Sequence, residues 1–381
     1  MKILAIDDQQ LILLSLEKKL NDLGYEVLTC DNGYNAIKLF DSFDPDLIIV
    51  DINMPQMSGL ELIKYIRIKK NSQKPIMVMS GNNDENIIVE GYELGINDYM
   101  KKPVSLNEVA ARIKRLTGEN PFPKPKVNQS NKANGIIREK CIGVVIPCYN
   151  EATRLASKEF TDFVDSNLGY YLCFINDGST DNTLNVLNNL AKGRENYISV
   201  YNCEKNRGKA EAVRQGILFL SKNDQLDYIG YLDADLSTDF RDFDDLVKII
   251  ETSEFKIVSG SRISRMGANI TKESARKIIS MTINFIIQKI LGMNFRDTQC
   301  GAKIMDKDIA QNMFNKPFIT RWLFDVEIFM RMKKFYGKEN ALKMICEQPL
   351  KRWIHANGSK LSIRDSLKIG NQLIRIAFHY K

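Results

Sequence analysis

The chain has 381 residues, 44% of them apolar and 27% charged, with a net charge of +7. That length exceeds one average domain, so two domains with real cores are expected. Its seven cysteines form no Cys-x-x-Cys pair and only His355 and His379 could join them, so neither a disulfide framework nor a zinc site is expected.

No secretory signal and no apolar run near 18 residues stands out, since even Ile278 to Met293 is broken by Asn284, Gln288 and Lys289. A cytoplasmic protein is expected, with peripheral contact at the inner face of a membrane left open. Residues 1–119 carry 14 Lys and Arg against 18 Asp and Glu, a net −4, so the remainder carries +11. A basic half of this kind meets nucleic acid, an anionic membrane or a phosphorylated substrate, and no nucleic-acid motif favours the first.

From the N-terminus, apolar runs Ile3–Ile6, Leu47–Val50 and Ile76–Met79 alternate with helical patterns such as Leu11–Leu23 and Asn35–Phe40. That rhythm predicts a doubly wound parallel α/β sheet. Asp7-Asp8 follows the first run, Asp51 the second, Ser80 the third, and Lys102-Pro103 follows a weaker strand at Tyr99-Met100. The carboxyl ends of such strands share one edge, so these groups converge. Clustered carboxylates repel one another unless a cation joins them, and Mg²⁺ there would let Asp51 attack a phosphoryl donor. Lys102 would pair with the new phosphate, while Ser80 and Tyr99 would move in response.

These residues, with Asn53-Met54-Pro55 and Ser58-Gly59, resemble the response-regulator receiver family over residues 1–118. The resemblance implies a flavodoxin-like (β/α)5 fold with Asp51 as phosphoacceptor. It also implies Mg²⁺ on Asp8, Asp51 and the Asn53 main-chain oxygen, with Asp7 assisting. The phosphoryl group would come from a sensor histidine kinase, a phosphotransfer protein or a small donor, and the receiver could form a homodimer. Residues 119–138, rich in Pro and then in Asn, Gln, Ser and Lys, read as a loose linker.

Residues 139–381 read as a second doubly wound domain. Strand-like runs Ile142–Ile146, Tyr170–Ile175, Ile198–Tyr201 and Tyr228–Leu232 end, in turn, on Pro147-Cys148-Tyr149-Asn150-Glu151, Asn176-Asp177-Gly178-Ser179, Asn206-Arg207-Gly208-Lys209 and Asp233-Ala234-Asp235. Asp-x-Asp at a strand end also describes a solvated terminus. Beside a Pro-x-Tyr segment that can flank a base, an aspartate for base or ribose and a lysine for phosphate, it reads as a Mg²⁺ or Mn²⁺ clamp on a nucleoside diphosphate. No Gly-x-Gly-x-x-Gly follows the first strand, so a dinucleotide site is not expected.

These motifs resemble the family 2 glycosyltransferases, inverting enzymes of the Rossmann-like GT-A fold. Arg296-Asp297-Thr298-Gln299-Cys300-Gly301, Arg321-Trp322-Leu323-Phe324-Asp325-Val326-Glu327 and Gly358-Ser359-Lys360-Leu361 narrow the likeness to dolichyl-phosphate β-glucosyltransferases and polyprenyl-phosphate glycosyltransferases. The resemblance implies a sugar nucleotide, UDP-glucose by the branch, and a lipid-phosphate acceptor at a membrane surface. Asp233 and Asp235 would hold the metal. Pro147, Tyr149, Glu151, Asp177, Lys209, Arg262 and Arg276 would contact the nucleotide sugar, and Asp325 stands where the family places a general base. Two departures stand out: Asn176 replaces the commoner Asp, and the membrane anchor of relatives has no counterpart run.

A lipid phosphate is a nucleophile at neutral pH, whereas a sugar hydroxyl needs a base, so the role of Asp325 depends on the acceptor. A transferase for sugar hydroxyls, and an adaptor that merely binds a nucleotide sugar, both remain open. Two apolar stripes could touch a membrane: Ile278, Ile279, Ile283, Ile286, Ile287 and Ile290, and a C-terminal amphipathic helix with Ile363, Leu367, Ile369, Leu373, Ile374 and Phe378 among basic residues.

Overall fold

A computed structural model describes residues 1–81, 84–118, 136–137, 140–167, 169–262, 269–270, 274–353 and 363–380, with the backbone alone at 136–137, 269–270, 274–282, 353 and 363–368. Two compact units result, Met1–Cys141 with Thr161–Tyr170, and Ile142–Phe160 with Tyr171–Lys381.

The first unit runs β1 (Lys2–Ile6), α1 (Gln10–Asp22), β2 (Glu26–Cys30), α2 (Gly33–Phe43), β3 (Leu47–Val50), α3 (Gly59–Lys64, continued by a π turn at Tyr65–Lys69), β4 (Ile76–Ser80), α4 (Glu85–Glu93), β5 (Asp98–Lys101), β6 (Val104–Ser105) and α5 (Leu106–Thr117). Its sheet is parallel in the order β2-β1-β3-β4-β5. β3 and β4 are buried along their whole length, as continuous apolar strands between two helical layers must be. Strand β2 has no such run: it lies at the sheet edge, and only Val27 and Cys30 are buried. Most of the linker lies outside the described residues. Its far end, β7 (Ile136–Ile137), pairs antiparallel with β6, so that part is anchored to the first unit and not loose.

From residue 142 the chain runs β8 (Ile142–Cys148), α6 (Ser157–Ser166), β9 (Tyr170–Asn176), α7 (Thr183–Ala191), β10 (Ile198–Asn202), α8 (Lys209–Leu220), β11 (Tyr228–Leu232), α9 (Phe240–Glu251) and β12 (Ile257–Ser261), all in the second unit except residues 161–170. It continues with β13 (Asn269–Ile270), α10 (Ser274–Leu291), β14 (Ala302–Asp306), α11 (Lys307–Phe314), α12 (Phe324–Tyr336), α13 (Lys338–Met344), β15 (Ile345–Pro349), β16 (Arg352–Trp353) and α14 (Ile363–His379). The seven-stranded sheet has the order β10-β9-β8-β11-β14-β12-β15, with β14 antiparallel to both neighbours. The sheet is therefore mixed, and β11 and β14 lie side by side at its centre with Leu232 opposite Ala302. That pairing carries the residues after β11 to the segment just before β14.

Two candidate sites at strand ends

In the first unit the strand ends converge as expected. Lys102 Nζ lies 2.6 Å from Asp7 Oδ2 and 3.3 Å from Asp51 Oδ1, with all three side chains buried. The second Asp51 oxygen accepts the Asn53 N–H at 3.0 Å. Burial pushes the Asp51 carboxyl up to about 6; Lys102 opposes this, while Asp7 and Asp8 add to it. Burial works against the Lys102 ammonium, yet Asp7 and Asp51 hold it well above its ordinary range. Ser80 is buried and Tyr99 half-buried. Among the described residues no three His, Cys, Asp or Glu side chains gather closely enough to form a ready metal centre.

In the second unit the loops after β8 and β9 are knitted together. Asn150 N–H donates to Ser179 Oγ, Thr180 N–H donates to Asn150 Oδ1, and Glu151 N–H donates to Thr183 Oγ1. Pro147 is half-buried, while Tyr149 is exposed beside them. Buried Asp177 serves as a staple: its two oxygens accept the N–H groups of Arg207 and Gly208 at 2.9 and 2.8 Å, fixing the loop before α8. Asn176 spends its amide on Asn202 Oδ1, and its own Oδ1 is buried without a donor.

Lys209, delivered by that loop, lies 2.5 Å from Asp233 Oδ1. That short pair ties the loop before α8 to the end of β11. Burial works against the Lys209 ammonium, while Asp233, then Asp325 and Asp235, hold it above its ordinary value. The other Asp233 oxygen fits only because residue 301 is glycine: a Cβ there would lie 2.0 Å from Oδ2. Asp235 is exposed and accepts the Ser237 N–H. Burial raises the Glu151 carboxyl, Arg154 opposes this, and Asp235 adds to it.

Asp325 enters from the first turn of α12. Its Oδ1 accepts from the Tyr231 hydroxyl and from Lys303 Nζ, the latter at 2.6 Å; Lys303 also donates to the Cys300 carbonyl at 2.8 Å. Burial first, then Asp325, pushes the Tyr231 phenol well above 10. Lys303, fully buried on β14, was not singled out by sequence reasoning. The signal was a lysine inside an apolar run, Ala302-Lys303-Ile304-Met305. Glu327 is the second such residue: fully buried, it accepts the N–H groups of Ile319 and Thr320 at 3.0 and 2.8 Å and the Tyr380 hydroxyl at 3.0 Å.

Other expected site residues lie differently. Half-buried Arg262 is engaged in a bidentate pair with buried Asp297, at 2.7 and 2.8 Å, which supplies the cation that a buried carboxylate needs. Arg276 lies on α10 with its side chain outside the described residues. Phe324 belongs to the core, while Trp322 is 60% exposed. The C-terminal stripe divides: Ile369, Leu373 and Ile376 face inward, whereas Ile374 and Phe378 face outward. On α10, Ile287 is buried, and Phe285 and Ile286 are exposed. The side chains of Ile278, Ile279, Ile363 and Leu367, and the segment 358–361, lie outside the described residues. Among the described residues no helix is long and apolar enough to cross a membrane.

Comparison with known proteins matches these two sites separately. The profile of the response regulator receiver domain matches residues 3–114, and that of glycosyl transferase family 2 matches residues 143–314. A dolichyl-phosphate beta-glucosyltransferase of Dictyostelium discoideum is 29% identical over 310 residues, 77% of this chain and 89% of that protein. Its namesake in Drosophila melanogaster is 32% identical over 256 residues, 63% of this chain and 75% of that protein. The alkaline phosphatase synthesis transcriptional regulatory protein PhoP of Bacillus subtilis is 36% identical over 130 residues, 34% of this chain and 54% of that protein.

Proposed function

For a chain that belongs to glycosyl transferase family 2, with dolichyl-phosphate beta-glucosyltransferases among its relatives and a response regulator receiver domain at its N-terminus, we propose inverting transfer of glucose from UDP-glucose to a polyprenyl phosphate, controlled by phosphorylation of Asp51. The carrying observation is Asp233 at the end of β11, packed against Gly301 and paired with Lys209, two residues before exposed Asp235. Hard carboxylate oxygens suit Mg²⁺ or Mn²⁺, which takes few protein ligands when substrate phosphates supply the rest. Asp233 and Asp235 would hold that ion, and its chemistry is to stabilise the departing diphosphate. Lys209 contributes a fixed positive charge to the same leaving group.

The surroundings of Asp325 favour a phosphate acceptor over a hydroxyl. Its Oδ1 is already committed to buried Lys303 and the Tyr231 hydroxyl, so Asp325 anchors the β11–β14 junction better than it would serve as a base. A lipid phosphate arrives already ionised and needs no base. Exposed Ile374 and Phe378 on α14, with Phe285 and Ile286 on α10, would let the enzyme dock on the inner face of a membrane.

In the receiver, Asp8, Asp51 and the Asn53 carbonyl would hold Mg²⁺ with Asp7 assisting, which would relieve the repulsion that raises Asp51. A sensor histidine kinase, a phosphotransfer protein or a small donor would phosphorylate Asp51, drawing Lys102 and Ser80 to the phosphate. A switch of about 1–3 kcal/mol would suffice to change activity, membrane binding or receiver dimerisation. The test is a panel of nucleotide sugars against polyprenyl phosphate and hydroxyl acceptors, with and without acetyl phosphate. Transfer restricted to hydroxyl acceptors would reject the lipid-phosphate reading. Identical rates, membrane binding and oligomeric state with and without acetyl phosphate would reject the regulatory one.

A further inference from the structure

We propose that a basic cleft between residues 205–214 and 317–321 receives the acceptor's phosphate monoester, held by Lys205, Arg207 and Arg321. This rests on the lipid-phosphate reading above. The cleft has a volume of about 690 Å³.

Both walls are pinned from behind. Asp177 fixes the backbone of Arg207 and Gly208. Gly208, at φ 93°, lets this loop run where even a Cβ would only touch the Arg321 side chain at 3.5 Å. Opposite, Glu327 holds the N–H groups of Ile319 and Thr320. Arg331 donates to the carbonyls of Met313, Lys316 and Pro317, and Tyr380 joins Glu327 to Arg331. The wall carrying Arg321 is thus set by buried Glu327 and half-buried Arg331 and Tyr380, none of which is among the cleft's lining residues.

The cations on these walls differ from their neighbours. Lys209 is paired with Asp233, Arg214 with Glu211, and Lys303 with Asp325. The side chains of Lys205, Arg207 and Arg321 have no carboxylate within ion-pair distance among the described residues, and all three are exposed. With Arg214, these three outnumber Glu211, the carboxylate among the lining residues, so the cleft carries a net positive charge, and two guanidinium groups suit the oxygens of a phosphate monoester. Arg207 is two residues from Lys209, so the bound anion lies on the same loop that reaches Asp233. Exposed Trp322, next to Arg321, offers an apolar face to hydrocarbon trailing from the phosphate.

The test uses the full chain and its Arg207→Gln, Arg321→Gln and Arg321→Lys variants. Initial rates are measured against farnesyl phosphate and UDP-glucose, and farnesyl phosphate, farnesol and inorganic phosphate are titrated by tryptophan fluorescence. Each Gln variant is expected to raise the acceptor KM about tenfold with the donor KM within about twofold, and Arg321→Lys to recover part of the loss. Farnesyl phosphate should bind more tightly than inorganic phosphate, and farnesol not measurably. Unchanged acceptor KM, or a rise confined to the donor KM, overturns the assignment. If the wild type transfers no sugar to any prenyl phosphate, the functional reading fails on its own, and the titrations still decide the cleft. Arginine-dependent farnesyl phosphate binding supports it. Inorganic phosphate binding as tightly as farnesyl phosphate, or no binding at all, overturns it.

Discussion

Replacing Lys303 with methionine probes the pair that fixes the centre of the second unit. The Lys303 side chain is fully buried and that of Asp325 is 6% exposed, with 2.6 Å between ammonium and carboxylate. Methionine fills the volume of the stem but removes the charge, leaving Asp325 with the Tyr231 hydroxyl as its remaining hydrogen-bond donor. Stranding one partner of a buried pair costs about 3–5 kcal/mol, whereas neutralising both recovers most of that loss. Both tryptophans, Trp322 and Trp353, belong to the second unit, so their fluorescence follows its unfolding in urea. With a slope of about 3 kcal/mol/M, Lys303→Met should lower the midpoint by about 1 M or more. Adding Asp325→Asn should restore at least half of the loss. A single variant within about 1 kcal/mol of wild type, or a double variant as unstable as the sum of both, would refute the paired reading.

Gly301→Ala places a methyl group where Asp233 Oδ2 stands, so initial-rate assays should show transfer falling by at least about tenfold while circular dichroism shows the fold retained. Asp51→Asn, in EDTA, should stabilise the receiver. Its carboxyl rises from 3.8 to about 6 on folding, so ionisation disfavours the fold by about 3 kcal/mol above pH 7 and by little near pH 4. The gain, read as slower hydrogen exchange in β1 and β3, should therefore be full at pH 8 and vanish toward pH 4; a gain that grows as pH falls would contradict the burial argument. Burial pushes the thiols of Cys173 and Cys300 up to about 12 and about 11, and that of Cys148 higher still. Iodoacetamide at pH 8 should then leave these three unmodified in the native protein while half-buried Cys203 and Cys346 react first, as read by peptide mass spectrometry.

Sites assembled by strands were legible because consecutive apolar runs end where the chemistry begins. Asp7, Asp51 and Lys102 meet within hydrogen-bond or ion-pair distance, and Asp233 lies against Lys209, as the rhythm of runs and polar ends implied. What escaped was chemistry buried inside an element. Lys303 interrupts an apolar strand, which hid β14, and its partner Asp325 is remote in sequence. The expectation that Arg262 contacts phosphate did not foresee Asp297, because a cation's partner is set by tertiary packing. The helical stripes were real but too broad: one turn of α14 places Leu373 inward and Ile374 outward, a distinction that depends on what packs against the helix. Short edge strands such as β2 leave only a weak pattern, since half their residues meet solvent.

The most direct measurement follows radiolabelled glucose from UDP-glucose into organic-extractable product in the presence of polyprenyl phosphate, comparing the wild type with Asp235→Asn. Label should enter the lipid fraction with the wild type and fall to background with the variant, and acetyl phosphate should change the wild-type rate through Asp51. Label that never enters the lipid, or enters it equally with Asp235→Asn, would contradict the central claim.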